Sequence, residues 1–76
     1  MKNLTTEERN ARFGEFLKNG REKKGLYQRE VAALAGISKV YYCYIEQGKR
    51  NVDLDLAIRL CKVLGLDLRD YIEIYR

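Results

Sequence analysis

Between Gln28 and Asn51 this chain gathers side chains suited to gripping a polyanion. Lys39, Lys49 and Arg50 are cations, Gln28 and Asn51 carry amides, and Tyr41 and Tyr44 are amphipathic rings. Their order supports one arrangement. An apolar-faced helix from Gln28 meets a corner at Gly36. A Ser-started helix with a basic and aromatic face follows, and then Gly48 with two cations. A support helix, a tight corner, a projecting helix and a loop of cations together fit insertion into the major groove of duplex DNA.

Other chemistry is poorly supplied. The chain has no histidine, and its two cysteines, Cys43 and Cys61, cannot complete a tetrahedral zinc site. No nucleophile–base pair or clustered carboxylate site is visible, so no catalytic residue, metal, cofactor or small-molecule ligand is assigned and no enzyme is expected. Cys43 lies near the basic face and invites a redox reading. A small residue accepted at a crowded position is the weightier one, because no cysteine partner is near in sequence. A secreted domain this small usually carries more bridges, so reduced thiols are expected. The first dozen residues are polar and charged, and no apolar run approaches the roughly 20 residues of a membrane span. Neither a signal peptide nor a membrane partner is expected.

Seventy-six residues make one domain, residues 1–76, able to bury about two-thirds of the surface of its unfolded chain. Apolar residues at 46% and charged ones at 34% belong to a globule rather than a disordered tail. The net charge of +4 is unevenly spread: residues 1–52 carry +5 and residues 53–76 carry −1. Positive charge therefore sits with the candidate reading helix, as a polyanion partner would favour.

The elements that position these residues can be read from caps and periodicity. Thr5 with Glu8 fits a capping box, which starts a first helix near Thr6. Phe13, Phe16, Leu17 and Gly20 form its stripe, and Lys23, Lys24 and Gly25 its end. A second helix spans about Gln28 to Ala35, with Val31, Ala32, Leu34 and Ala35 inward, and Gly36 closes it. Ser38 caps a third, roughly Lys39 to Gln47, ended by Gly48. Asp53 caps a fourth, whose apolar face is Leu54, Leu56, Ala57, Leu60, Cys61 and Leu64, stopped by Gly65. Asp67 and Asp70 open a fifth, carrying Leu68, Tyr71, Ile72 and Tyr75. Strand-like alternation is absent, so the expected fold is all-α, five short helices.

With these residues in place, the chain resembles the phage-repressor and Cro helix-turn-helix family, the lambda repressor-like or XRE type. The likeness runs over about residues 13–72, with the helix-turn-helix at about 28–47. It rests on Phe13-Gly14-Glu15, Arg21 through Leu26, Gln28, Val31-Ala32, Gly36-Ile37-Ser38, Ile45 through Asn51, Ala57, Leu60 and Leu64-Gly65-Leu66. What it implies is a compact five-helix DNA-binding domain and a set of roles. Gln28, Lys39, Val40 and Tyr44 would read bases: lysine can donate to guanine O6 and N7, and valine can pack on a thymine methyl. Tyr41, Lys49, Arg50 and Asn51 would hold phosphates, fixing register without reading sequence. Arg21 and Glu46 would form a structural ion pair.

Some of these roles have competitors. Val40 either touches DNA or covers the domain's own surface, and Tyr44 either touches DNA or packs on Tyr41. The chain also departs from the family. Tyr27 stands where a Thr, Ser or Asn cap is usual, removing a bond worth about 1 kcal/mol. Tyr42 replaces a core Ile or Val, and Gly20 replaces a residue that is often large, which suggests that Gly20 makes room for a ring. No proline follows Asn51.

The expectation is a sequence-specific transcriptional regulator bound to double-stranded DNA, a homodimeric repressor that occludes a palindromic operator. It would be cytoplasmic, bacterial or phage-encoded and nucleoid-associated. In the tail, Tyr71, Ile72 and Tyr75 are expected to pack on the core and Ile74 to be left for dimerisation. The alternative is a protein-interaction module on the same fold, antitoxin- or adaptor-like, favoured by the Tyr content of the reading helix.

Overall fold

The computed structural model describes residues 4–75, with side chains described as far as Ile72. The helices are α1 (Thr6–Lys24), α2 (Gln28–Ala35), α3 (Lys39–Glu46), α4 (Leu54–Leu64) and α5 (Leu68–Tyr75), and the described residues contain no strand. The architecture is all-α with five helices, although α1, at 19 residues, is not short.

Local chemistry explains most boundaries. The Thr5 hydroxyl accepts from the Glu8 N–H at 3.1 Å, and the Glu8 carboxylate accepts from the Thr5 N–H at 2.9 Å. Ser38 caps α3 by accepting from the Tyr41 N–H at 3.0 Å. Asp53 caps α4 by accepting from the Leu56 N–H at 2.8 Å. Tyr27 offers α2 no such bond, but the Glu30 carboxylate accepts from the Tyr27 N–H at 2.8 Å and keeps half of a capping box. The corner after α2 needs Gly36 at φ 75°, a conformation that L side chains seldom adopt. There the Ile37 N–H reaches the Ala32 carbonyl and sets the angle at which α3 leaves.

Packing places α1 against α3, α4 and α5, while α2 lies on α3 and α4. Leu17, Val31, Tyr42, Ile45, Leu60 and Leu64 are fully enclosed between them. Gly14 sets how closely α1 approaches α3. A Cβ there would overlap the Glu46 carbonyl oxygen and lie 2.5 Å from that of Ile45. Tyr71 anchors α5, its ring edge-on to Phe13 at 4.7 Å between centroids and its hydroxyl donating to the Arg9 carbonyl at 3.2 Å.

Four expectations need correction. Leu34 and Leu54 are 66% and 67% exposed rather than inward. Each lies about a quarter-turn from the centre of its helix's buried stripe. Ile72 is half exposed rather than packed on the core. Tyr42 is buried, but the space at Gly20 belongs to Leu66, whose methyl carbon would come within 2.7 Å of a Cβ, and not to an aromatic ring. The expectations for the Ile74 and Tyr75 side chains fall outside the described ones. No helix among the described residues is long and apolar enough to cross a membrane.

Candidate nucleic-acid interface

Helix α3 divides its eight residues between interior and surface. Tyr42, Ile45 and Glu46 point into the domain, which leaves Lys39, Val40 and Tyr44 exposed. Val40 is 60% exposed. Tyr44 makes no ring contact with Tyr41; the Arg50 guanidinium instead lies 5.8 Å from its ring centroid. Tyr41 is half-buried, and its hydroxyl donates to the Asn51 carbonyl at 3.4 Å.

The loop after α3 is tied down from two directions. Gly48, at φ 77°, brings the chain so close to α1 that a Cβ would lie 2.7 Å from the Ala11 Cα. The Asn10 amide donates to the Asn51 side-chain oxygen at 2.7 Å. Together with α3 the loop makes an open hollow lined by Asn10, Ser38, Val40, Tyr41, Tyr44, Lys49, Arg50 and Asn51. All of the residues assigned to phosphate therefore border one surface, together with Val40 and Tyr44. Gln28 and Lys39 lie on the other flank of α3.

A hydrogen-bonded chain runs beneath that surface. Arg21 Nε donates to Glu46 Oε2 at 2.7 Å and its Nη2 to Oε1 at 3.1 Å, while its Nη1 reaches the Leu26 carbonyl. Gln28 Nε2 donates to Glu46 Oε1 at 3.0 Å, and the Cys43 thiol donates to Gln28 Oε1 at 2.8 Å. Burial pushes the Glu46 carboxyl up. Hydrogen bonds from Arg21 and Gln28, the nearby Tyr42 hydroxyl and the Arg21 charge outweigh burial and hold it below its ordinary value. The same contact raises Arg21. The enclosed Tyr42 hydroxyl is kept protonated by burial and by the neighbouring carboxylate, although no partner meets it at ordinary hydrogen-bond geometry. Gln28 is thus half-buried with two of its four hydrogen-bonding positions in use. One N–H and one lone pair remain.

The helix-turn-helix family model matches residues 17–71. The chain belongs to the helix-turn-helix family. Two relatives from Bacillus subtilis are named as transcriptional regulators of helix-turn-helix type. Control protein C.MunI of a Mycoplasma species is 42% identical over 60 residues, which cover 78% of this chain and 81% of that one. The crystal structure of the restriction-modification controller protein C.AhdI from Aeromonas hydrophila superposes with a TM-score of 0.76 at 34% identity, covering 82% of this helix-turn-helix chain and 94% of that one. A protein from Thermococcus kodakarensis is 38% identical over 63 residues, 83% of this chain, which spans just 20% of that longer protein.

Three positioning residues were not assigned from sequence. Asn10 holds Asn51, the Cys43 thiol holds Gln28, and Gly14 lets α1 reach the backbone of α3. Of these, Gly14 left a trace, as part of the Phe13-Gly14-Glu15 run shared with the family. Asn10 and Asn51 are 41 positions apart, and nothing local joins them.

Proposed function

We propose that the chain is a homodimeric repressor that occludes a palindromic operator in double-stranded DNA. The observation that carries the reading is the exposed edge of α3 beside the tethered loop of Lys49, Arg50 and Asn51. An α-helix with its side chains is about 10–12 Å across and fills a major groove about 12 Å wide. Lys39, Val40 and Tyr44 then face base edges, and Tyr41, Lys49, Arg50 and Asn51 face phosphates. Gln28 joins them with its spare N–H and lone pair, the combination that an adenine N6/N7 edge requires. Nothing in this mechanism uses a cofactor or a small-molecule effector.

The homodimer is supported by apolar side chains that α4 and α5 leave uncovered. Leu54 is 67% exposed and Ile58 40%, and Ile72, half exposed, lines one groove with Leu54, Val52 and Leu68. A second copy seated on that face would present two reading helices. Their half-sites would lie about 34 Å apart, one turn of duplex. The protein-interaction alternative loses most of its support: Tyr42 is buried and Tyr41 half-buried, which leaves Tyr44 as the exposed ring of α3.

Selection of bound sites from random duplexes at near-physiological salt tests the proposal. Inverted half-sites with centres one helical turn apart are the expected winners. Enrichment of single asymmetric sites would remove the dimer, and no enrichment at all would remove DNA binding.

A further inference from the structure

A second basic hollow lies on the other flank of α3, lined by Arg21, Tyr27, Gln28, Arg29 and Lys39. Its cations are unequal. Arg21 is committed to Glu46, whereas Arg29 and Lys39 make no ion pair among the described residues. Glu30, the neighbouring carboxylate, is turned to the Tyr27 N–H.

The start of α2 is also unusual in its side chains. Where a small capping residue is common, Tyr27 stands 62% exposed, and the Arg29 guanidinium lies over its ring at 4.6 Å. Stacking on a ring face orients the planar guanidinium but leaves its in-plane N–H donors free. An exposed arginine normally loses much rotamer freedom when it binds, and one already held over a ring loses less. The positive end of the α2 dipole adds to the same place.

We propose that Arg29, held by Tyr27, is a second phosphate clamp, gripping the strand on the opposite flank of α3 from Lys49 and Arg50. This rests on the DNA-binding reading above. When α3 fills the groove, the hollows on its two sides meet the two phosphate ridges that border it. A guanidinium offering two parallel N–H donors matches a phosphodiester. With Gln28 and Lys39 in the same hollow, the clamp fixes the α2 side of the reading helix as the loop fixes the other.

The test is binding of the full chain and its variants to a selected duplex and to a random one across a salt series, with thermal melting to check folding. Arg29→Ala is expected to weaken both duplexes and to reduce the slope of log K against log salt by about one, the contribution of a single phosphate. Tyr27→Ala is expected to weaken both several-fold, and Tyr27→Phe, which keeps the ring, to match the parent. A single neutral methylphosphonate on the flank facing α2 should weaken the parent and leave Arg29→Ala unaffected. The clamp is overturned if Arg29→Ala keeps the parent's affinity and slope while Lys49→Ala or Arg50→Ala loses both, a result that leaves DNA binding intact. It is also overturned if Arg29→Ala weakens the selected duplex alone, which would make Arg29 a base contact. A parent chain that binds no duplex overturns clamp and function together.

Discussion

The α2–α3 end and the α4–α5 end of this domain bury different things. Under the reading helix lies a charged group, Glu46, satisfied by Arg21 and Gln28, with Cys43 and Tyr42 around it. Under α4 lie Leu56, Ala57, Leu60, Cys61 and Leu64, while the ion pairs of that end, Arg59–Asp55 and Arg69–Asp67, stay at the surface. Exposed pairs of this kind contribute about 0–1 kcal/mol. A buried pair with fixed geometry gains little over apolar packing of the same shape, but it is costly to break. One end therefore adds directional bonds to its packing while the other relies on volume, and the directional end carries the proposed interface.

The largest expected effect comes from breaking the directional end. Glu46→Ala leaves Arg21 and Gln28 without their acceptor and should destabilise the fold by about 3–5 kcal/mol, measured by chemical denaturation. The pH profile sharpens the point. Folding lowers the Glu46 pKa below its ordinary 4.5, so its stabilisation is complete above that pH and is lost as acid approaches the folded value. The variant should lose part of the parent's decline in stability below pH 4.5. An unchanged decline would place the acid sensitivity elsewhere.

Leu60→Ala probes the apolar end. It should cost about 2–5 kcal/mol with the parent's pH profile retained, because a cavity has no charge to titrate. Gly14→Ala tests the seam between α1 and α3. Two backbone carbonyls obstruct the added methyl, so melting should fall by the equivalent of about 1–3 kcal/mol. The smallest change is Ser38→Ala, about 1 kcal/mol from the lost cap of α3. Should Ser38→Ala exceed Glu46→Ala in the same denaturation series, the ranking of the two kinds of burial is wrong.

Legibility followed the range of the interactions. Thr5, Ser38 and Asp53 announce their helices because a cap acts within three residues, and Gly36 marks its corner by its own backbone conformation. The burial of Tyr42 follows from the family pattern, which has a core Ile or Val at that position. Leu34 and Leu54 were assigned inward because apolar side chains near a stripe look alike in sequence, although the packed neighbours reach just part of each short helix. The surface positions of Lys39, Val40, Tyr44, Lys49 and Arg50 follow from the family pattern. The supports beneath them do not, since the thiol that orients Gln28 is 15 residues away and joins it only through the third dimension. The α2-side hollow was hidden for a similar reason: Tyr27 reads as a missing cap until the guanidinium above it is seen.

The division of labour along α3 has an engineering consequence. Lys39 and Val40 stand at the surface, whereas Tyr42, Ile45 and Glu46 are buried in the interior. The first two positions can accept a randomised alphabet with little tax on the scaffold, so, on the proposed function, new operator preferences could be bred from this chain while its neighbours in the same helix stay frozen.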